Sequence, residues 1–194
     1  MYTLRFPRAL LREVAEPSEV ATIGEAPTTR LGDWYVAPLA AAGRELLLCT
    51  SDRSLLSVVL PAEDLEDLPE RLAVAVVGVL HRLDVPRPAV AREIDAMTSG
   101  EVGPARDRAV MAAMRALARR TRAWLEAEDG PVDVAELYTH LGEYRPRGRD
   151  VASAASTAVA LLTARPAARA RGTATAPKAG ATSPRTAKSA RKKR

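Results

Sequence analysis

Cysteine and aromatic residues are scarce in this sequence, and long apolar runs are missing. The one cysteine, Cys49, excludes an internal disulfide and a multi-cysteine metal site. It follows three leucines, which predicts a buried, unreactive thiol. Aromatic residues are only 4% of the chain, so we expect a core of aliphatic side chains. The longest apolar run, residues 72–80, is far shorter than the roughly 20 residues of a membrane span. Because the N-terminal residues also lack the apolar run of a secretory signal, we expect a soluble cytoplasmic protein.

Acidic residues stop at Asp150, and this divides the charge of the chain. The whole sequence has 29 basic and 24 acidic residues, a net charge of +5 at pH 7. Ten of the basic residues lie in positions 165–194, which we call the basic tail, so positions 1–164, the body, keep 19 basic against 24 acidic residues. The body is therefore net −5 and the tail +10. Charge asymmetry of this kind bears on binding partners rather than on the fold.

The basic tail combines small residues, proline and positive charge. Such a composition cannot bury enough apolar surface to offset the entropy of ordering, so we predict that it is disordered. Basic residues without aromatic neighbours are typical of non-specific contact with phosphate backbones, and we expect the tail to bind nucleic acid in this way. The alternatives are contact with the acidic body, no dedicated partner, or an anionic membrane surface. The expected contact residues are Arg165, Arg169, Arg171, Lys178, Arg185, Lys188, Arg191, Lys192, Lys193 and Arg194.

Strand and helix patterns follow one another along the body. Alternating or apolar segments at 2–6, 33–40, 44–51 and 54–61, separated by turn residues, predict strands with an antiparallel meander among them. Apolar residues at helical spacing predict helices at 62–85, 87–97, 107–129 and 132–144, with Asp107 able to cap the third. We therefore predict an α+β domain over residues 1–150, with a small, mainly antiparallel sheet covered by helices. Residues 151–164 would be a weak Ala-rich helix or a linker.

The string Leu31-Gly32-Asp33-Trp34-Tyr35 opens the most strand-like part of the sequence. With this motif and the strands and helices around it, roughly residues 2–145 resemble a bacterial family of uncharacterised domains, domain of unknown function 6933. Members of that family tend to carry Asn-Arg-Ser at the start of a long helix, where this chain has Asp107-Arg108-Ala109. The family has no established activity. The resemblance therefore implies an outline of the fold and supplies no function.

The same motif suggests a ligand pocket. In a strand Asp33 and Tyr35 share one face, while Trp34 points to the other face and into the core. Arg53 and Arg108 stand where one element ends and the next begins, and the guanidinium group suits carboxylate and phosphate recognition. We predict that these arginines approach Asp33 and Tyr35. The alternative is that these residues only shape turns and cap helices.

Motifs for catalysis, metals or cofactors are not evident. His81 and His140 lack the spacing of a metal site, and the sequence has neither a Gly-rich phosphate loop nor a nucleophile elbow, so no metal or cofactor is expected. The leading hypothesis is a non-enzymatic binding protein whose tail contacts nucleic acid and whose body holds a protein or a small ligand. The alternative is a ligand-binding domain or an enzyme with its pocket around Asp33, Tyr35, Arg53 and Arg108.

Overall fold

The computed structural model describes residues 1–15, 20, 26–127, 133–146 and 152–164, and within them it contains five strands and six helices. This confirms the α+β class. Met1–Ala164 form one compact unit. The basic tail, with its predicted disorder, lies outside the described residues. The elements are β1 (Tyr2–Phe6), α1 (Arg8–Val14), β2 (Trp34–Ala41), β3 (Arg44–Ser51), β4 (Ser57–Pro61), α2 (Leu68–Arg82), α3 (Arg87–Ala96), β5 (Gly100–Pro104), α4 (Arg108–Ala127), α5 (Val134–Gly142) and α6 (Ala154–Thr163).

The sheet is mixed, so the prediction of a mainly antiparallel sheet was wrong. Its strand order is β4-β3-β2-β1-β5. The meander β2-β3-β4 is antiparallel as predicted, but β1 runs parallel to both β2 and β5. Parallel neighbours need a long crossover, and residues 7–33 supply it between β1 and β2, while residues 62–99 lead from β4 at one edge of the sheet to β5 at the other. The alternation that predicts a strand does not reveal its partner, which explains the error.

The tight turn between β2 and β3 fixes the register of the meander. Ala42 and Gly43 both have positive φ, 47° and 69°, as in the two-residue hairpin turns that match strand twist. From this turn the pairing runs without a break from Ala41 with Arg44 to Trp34 with Ser51. The turn therefore places the start of β2, which carries the motif, beside the end of β3.

The first side chains of β2, from Trp34 to Ala37, alternate between two apolar clusters. Trp34 and Val36 are fully buried in the main core, which also contains the buried residues of α2. Tyr35 packs instead with Val110 and Met114 of α4. Cys49 is buried as expected, and burial raises the pKa of its thiol to about 12. Tyr35 thus faces the beginning of α4.

The C-terminal helices complete the body. The Tyr138 hydroxyl of α5 donates to the Val59 carbonyl of β4, and α6 packs against α3 and α5. The compact unit therefore includes residues 151–164, where the sequence predicted a weak helix or a linker. None of the helices in the described residues combines the length and the apolar character needed to cross a bilayer.

Candidate functional site

The Asp33 carboxylate joins β2 to β1. Its Oδ1 accepts from the backbone N–H of Thr3 at 2.9 Å, and its Oδ2 accepts from Nε and Nη2 of Arg5 at 2.9 and 2.7 Å. The exposed fractions of the two charged side chains are 14% for Arg5 and 8% for Asp33. The partner of Asp33 is thus an arginine of β1, which the sequence analysis did not single out. The signal was a single arginine in the otherwise uncharged strand YTLRF.

Asp52, at the end of β3, is the carboxylate that lies beside Asp33. Its Oδ1 accepts from the Asp33 N–H at 3.1 Å, and its own N–H donates to the Asp33 carbonyl at 2.9 Å. Burial raises the pKa of Asp52 to about 6, and the negative charge of Asp33 adds to this effect. The positive charges of Arg53 and Arg5 oppose the rise only in part. Asp52 is therefore a carboxyl group whose pKa of about 6 lies well above its ordinary value of 3.8.

Gly32 makes room for Asp52 against the motif. Its φ is +84°, and a Cβ atom there would overlap Oδ1 of Asp52 and come within 2.9 Å of Cγ of Arg53. Glycine is the residue that adopts this conformation without a steric penalty. The Gly-Asp step of the motif is therefore explained by the approach of Asp52.

Arg53 is engaged by the loop before β2. Its Nη1 donates to the Thr29 carbonyl at 3.1 Å, and its N–H donates to the Leu31 carbonyl at 3.4 Å. Arg108 lies further away in the chain at the first position of α4, where it is exposed. Asp33 and Arg53 are two of the four predicted pocket residues. Each of their side chains thus forms hydrogen bonds with other protein groups and not with the other.

Tyr35 connects the motif to the start of α4. Its hydroxyl oxygen accepts from the backbone N–H of Asp107 at 3.2 Å, and burial raises the pKa of the phenol. Asp107 in turn caps α4, because its Oδ1 accepts from the N–H groups of Ala109 and Val110 at 2.7 and 3.1 Å. The predicted cap is confirmed. Tyr35 and Asp107 together fix the beginning of α4 over β2.

Glu93 of α3 is a further structural carboxylate that the sequence analysis missed. It is only 2% exposed, and its two oxygens accept from the N–H groups of Arg30 and Leu31 at 2.7 and 2.9 Å. Arg30 then donates from Nη1 to the carbonyls of Leu161 and Ala164 at the end of α6. The signal was a charged residue on the buried stripe of α3, one turn after Val90.

A groove of about 660 Å³ runs along α4, next to this network. At one end it is lined by Asp52 and by Asp107, which opens α4. Arg119 lies further along α4, roughly 15–18 Å from its start at the helical rise. Arg145 also lines the groove, and it follows Glu143, which pairs with the neighbouring Arg120 at 3.7 Å. The groove therefore has two carboxylates at one end and two guanidinium groups at the other.

The floor of the groove is formed by small side chains of α4. Its remaining lining residues are Leu55, Ala109, Val110, Ala112, Ala113, Ala116, Tyr144 and Pro146. Four alanines on one helix face leave the backbone accessible to a close contact. The groove is bounded by Asp52 and Asp107, the immediate neighbours of Arg53 and Arg108. Within the described part of the chain, no three or more His, Cys, Asp or Glu side chains are grouped so that they could hold a metal ion.

The fold and this network define a small α+β domain in which a Gly-Asp-Trp-Tyr strand start is tied to β1, β3 and α4. The model of the family described as a domain of unknown function, DUF6933, matches residues 3–150. The chain belongs to this family. Searches of curated proteins and of solved structures gave no match.

Proposed function

We propose that the body is a ligand-binding domain whose site is the groove along α4. The observation that carries the proposal is the separation of charge in a groove of about 660 Å³, with Asp52 and Asp107 at one end and Arg119 and Arg145 at the other. Sites for small ligands typically have volumes of about 300–1,000 Å³. The charged groups at the two ends of the groove are suited to holding a ligand that carries charge, so we propose a binding function.

The layout of charges selects an elongated ligand with unlike ends. Arg119 and Arg145 would hold a carboxylate or a phosphate group, for which guanidinium forks are well suited. Asp52 and Asp107 would accept from an amine. The alanine floor would contact the part of the ligand between these groups. A short extended peptide with free termini has this chemistry, and four residues span about 13–14 Å.

Tetra-alanine with free termini is therefore a suitable probe for isothermal titration calorimetry on the full chain. We expect it to bind, and we expect the same peptide with acetylated and amidated termini to bind at least about tenfold more weakly. The Arg119→Gln/Arg145→Gln variant should lose at least about tenfold in affinity. The matched control is Arg108→Gln/Arg115→Gln, which removes two exposed charges of α4 that do not line the groove.

The control also separates this site from the pocket predicted from the sequence. A loss confined to the Arg108→Gln/Arg115→Gln variant would move the site to the region of Arg108 and refute the groove. Equal affinity for the free and the blocked peptide, or no binding of either, would also contradict the proposal.

The second candidate function is non-specific nucleic-acid binding through the basic tail. The observation that favours it is the charge division, +10 in residues 165–194 against −5 in the body. A flexible basic segment that neutralises phosphates releases counterions, so the logarithm of its affinity falls linearly with the logarithm of the salt concentration. The body would then carry its ligand to nucleic acid, or be held near it.

A titration with DNA and RNA at several salt concentrations tests this second function. We expect the full chain to bind and a chain ending at Ala164, the end of the compact unit, to lose binding. A variant of the full chain has glutamine in place of four basic residues, Arg191, Lys192, Lys193 and Arg194. The slope of the logarithm of its affinity for DNA against the logarithm of the salt concentration should become less steep by up to about 0.9 for each lost phosphate contact. Equal binding by the shortened and full chains would exclude the tail as the contact.

A further inference from the structure

The outward face of α2 carries one large apolar side chain, Val74, that the body leaves exposed. Leu72, Val76 and Val79 of this helix are buried in the core, as are Leu68 and Leu80. Val74, on the opposite face, is 73% exposed, more than any other large hydrophobic residue in the described part of the chain. At Gly78, one turn further on, a Cβ atom would meet nothing within 4 Å. The centre of this face, at Val74 and Gly78, is thus open to an incoming surface.

The residues along this face follow the spacing of a coiled-coil seam. Glu70, Val74, Val77 and His81 are separated by four, three and four positions, which is the d-a-d-a pattern of a heptad repeat. Glu70, Val74 and His81 are exposed, and Val77 is half-buried. A strict 4-3-4 stripe on the outside of a helix is the geometry by which one helix packs lengthwise against another.

The stripe is complementary to itself in the antiparallel direction. If two copies of α2 are laid side by side in opposite directions, Glu70 of each copy faces His81 of the other, and Val74 of each faces Val77 of the other. The two apolar layers lie in the centre and the acid–imidazole pairs close both ends. Gly78 next to the seam allows close approach, and the opposed helix dipoles are favourably aligned. In a parallel pairing each residue would face its own copy, and the two Glu70 carboxylates would repel.

We propose that the α2 face formed by Glu70, Val74, Val77 and His81 binds the same face of a second copy of this chain in a two-fold antiparallel contact. Such an isologous contact closes at two copies, so the expected product is a dimer. A seam of four layers is smaller than a standard interface, so we expect a weak dimer with a dissociation constant of roughly 10–100 μM.

The dimer is tested by sedimentation velocity on the full chain from about 1 to 500 μM, a range that brackets the expected constant. Val74→Glu places four like charges on the seam, together with Glu70 of each copy, and should raise the dissociation constant at least about tenfold. The matched control is Val134→Glu at the first position of α5, which adds the same charge at the other exposed valine, 48% exposed. It should leave the constant unchanged.

A charge exchange tests the antiparallel register. Glu70→Arg removes the carboxylate that would accept from the His81 imidazole, and His81→Glu sets two carboxylates together, so each single variant should weaken the dimer by about threefold or more. The double variant Glu70→Arg/His81→Glu should restore it, because an arginine then faces a glutamate. Circular dichroism verifies that each variant keeps its helix content.

Three results would overturn the proposal. The first is a chain that stays monomeric throughout the concentration range, as it would if the face bound a different protein or another segment of the same chain. The second is an equal effect of Val74→Glu and Val134→Glu. The third is a double charge exchange that does not restore the dimer weakened by its single variants.

Discussion

Replacement of Asp52 by asparagine should change how the stability of the body depends on pH. Burial and the neighbouring Asp33 charge raise the pKa of Asp52 from 3.8 to about 6 in the folded protein. Above pH 6 this carboxylate is ionised in both the folded and the unfolded chain, and its buried charge opposes folding. As the pH falls from 6 towards 4, only the folded protein takes up the proton, so this group makes the fold more stable.

The size of this effect follows from the shift. Each pKa unit is worth about 1.36 kcal/mol, so the full shift would correspond to about 3 kcal/mol between high and low pH. The Asp52 side chain is incompletely buried, and solvent screening lowers this to about 1–2 kcal/mol. Asparagine keeps the acceptor for the Asp33 N–H but cannot ionise. Asp52→Asn should therefore be more stable, relative to the wild type, at about pH 7.5 than at about pH 4.5.

Urea unfolding of both proteins at the two pH values measures the four free energies of unfolding. Titration of the groups that do not interact with Asp52 cancels in the difference between variant and wild type, which should change by about 1–2 kcal/mol between the two pH values. Asp95→Asn, an exposed carboxylate of α3, is the matched control and should show a smaller change. If the Asp52→Asn difference is the same at both pH values, or larger at low pH, the proposed burial of charge is refuted.

Three further substitutions test the network around the motif, each by urea unfolding. Asp33→Ala removes the acceptor of the largely buried Arg5 guanidinium and should lower the free energy of unfolding by about 3–5 kcal/mol. Glu93→Ala leaves two loop N–H groups without acceptors and should lower the free energy of unfolding by about 2–4 kcal/mol. Glu93→Gln keeps one acceptor oxygen and should lower it less. Gly32→Ala combines a positive φ with the overlap on Asp52 and should cost at least about 2 kcal/mol.

Each of these substitutions has a control in the same body. Gly43 also has a positive φ, +69°, but nothing lies within 4 Å of a Cβ there, so Gly43→Ala should cost only the backbone term of about 1 kcal/mol. If it costs as much as Gly32→Ala, the approach of Asp52 is not the cause. Asp95→Ala is the control for Asp33→Ala and Glu93→Ala. If it lowers the free energy of unfolding as much as they do, the roles given to Asp33 and Glu93 are contradicted.

The sequence predicted local features of this fold well. The meander, the Asp107 cap and the burial of Trp34 follow from alternation, turn residues and capping preferences, all of which act over a few neighbouring residues. The parallel position of β1 could not be predicted in this way, because it depends on contacts with residues about 30 and 100 positions away. Propensity measures a short segment and contains nothing about such partners.

The candidate site shows the same limit. Asp33 was among the predicted pocket residues, but its partner, Arg5, belongs to the strand whose position was not predicted. Asp52 and Asp107 line the groove, and each is adjacent to an arginine that was predicted for the pocket. The predicted arginines lie at the junctions between elements, next to the carboxylates that line the groove. Which of two adjacent side chains faces the groove depends on backbone angles that are set by packing.

The position of β1 between β2 and β5 has a consequence for the order in which this sheet assembles. The β2–β3–β4 meander joins neighbours in the chain, and it can form as soon as residue 61 is available. The other half of the sheet needs β1 and β5, whose paired residues are separated by 98 positions at Tyr2 and Gly100. During synthesis the edge of β1 that pairs with β5 would thus stay open until residues 100–104 have been made. An early error in β1 would leave β5 without its partner and the meander with an open edge, the kind of surface that invites aggregation.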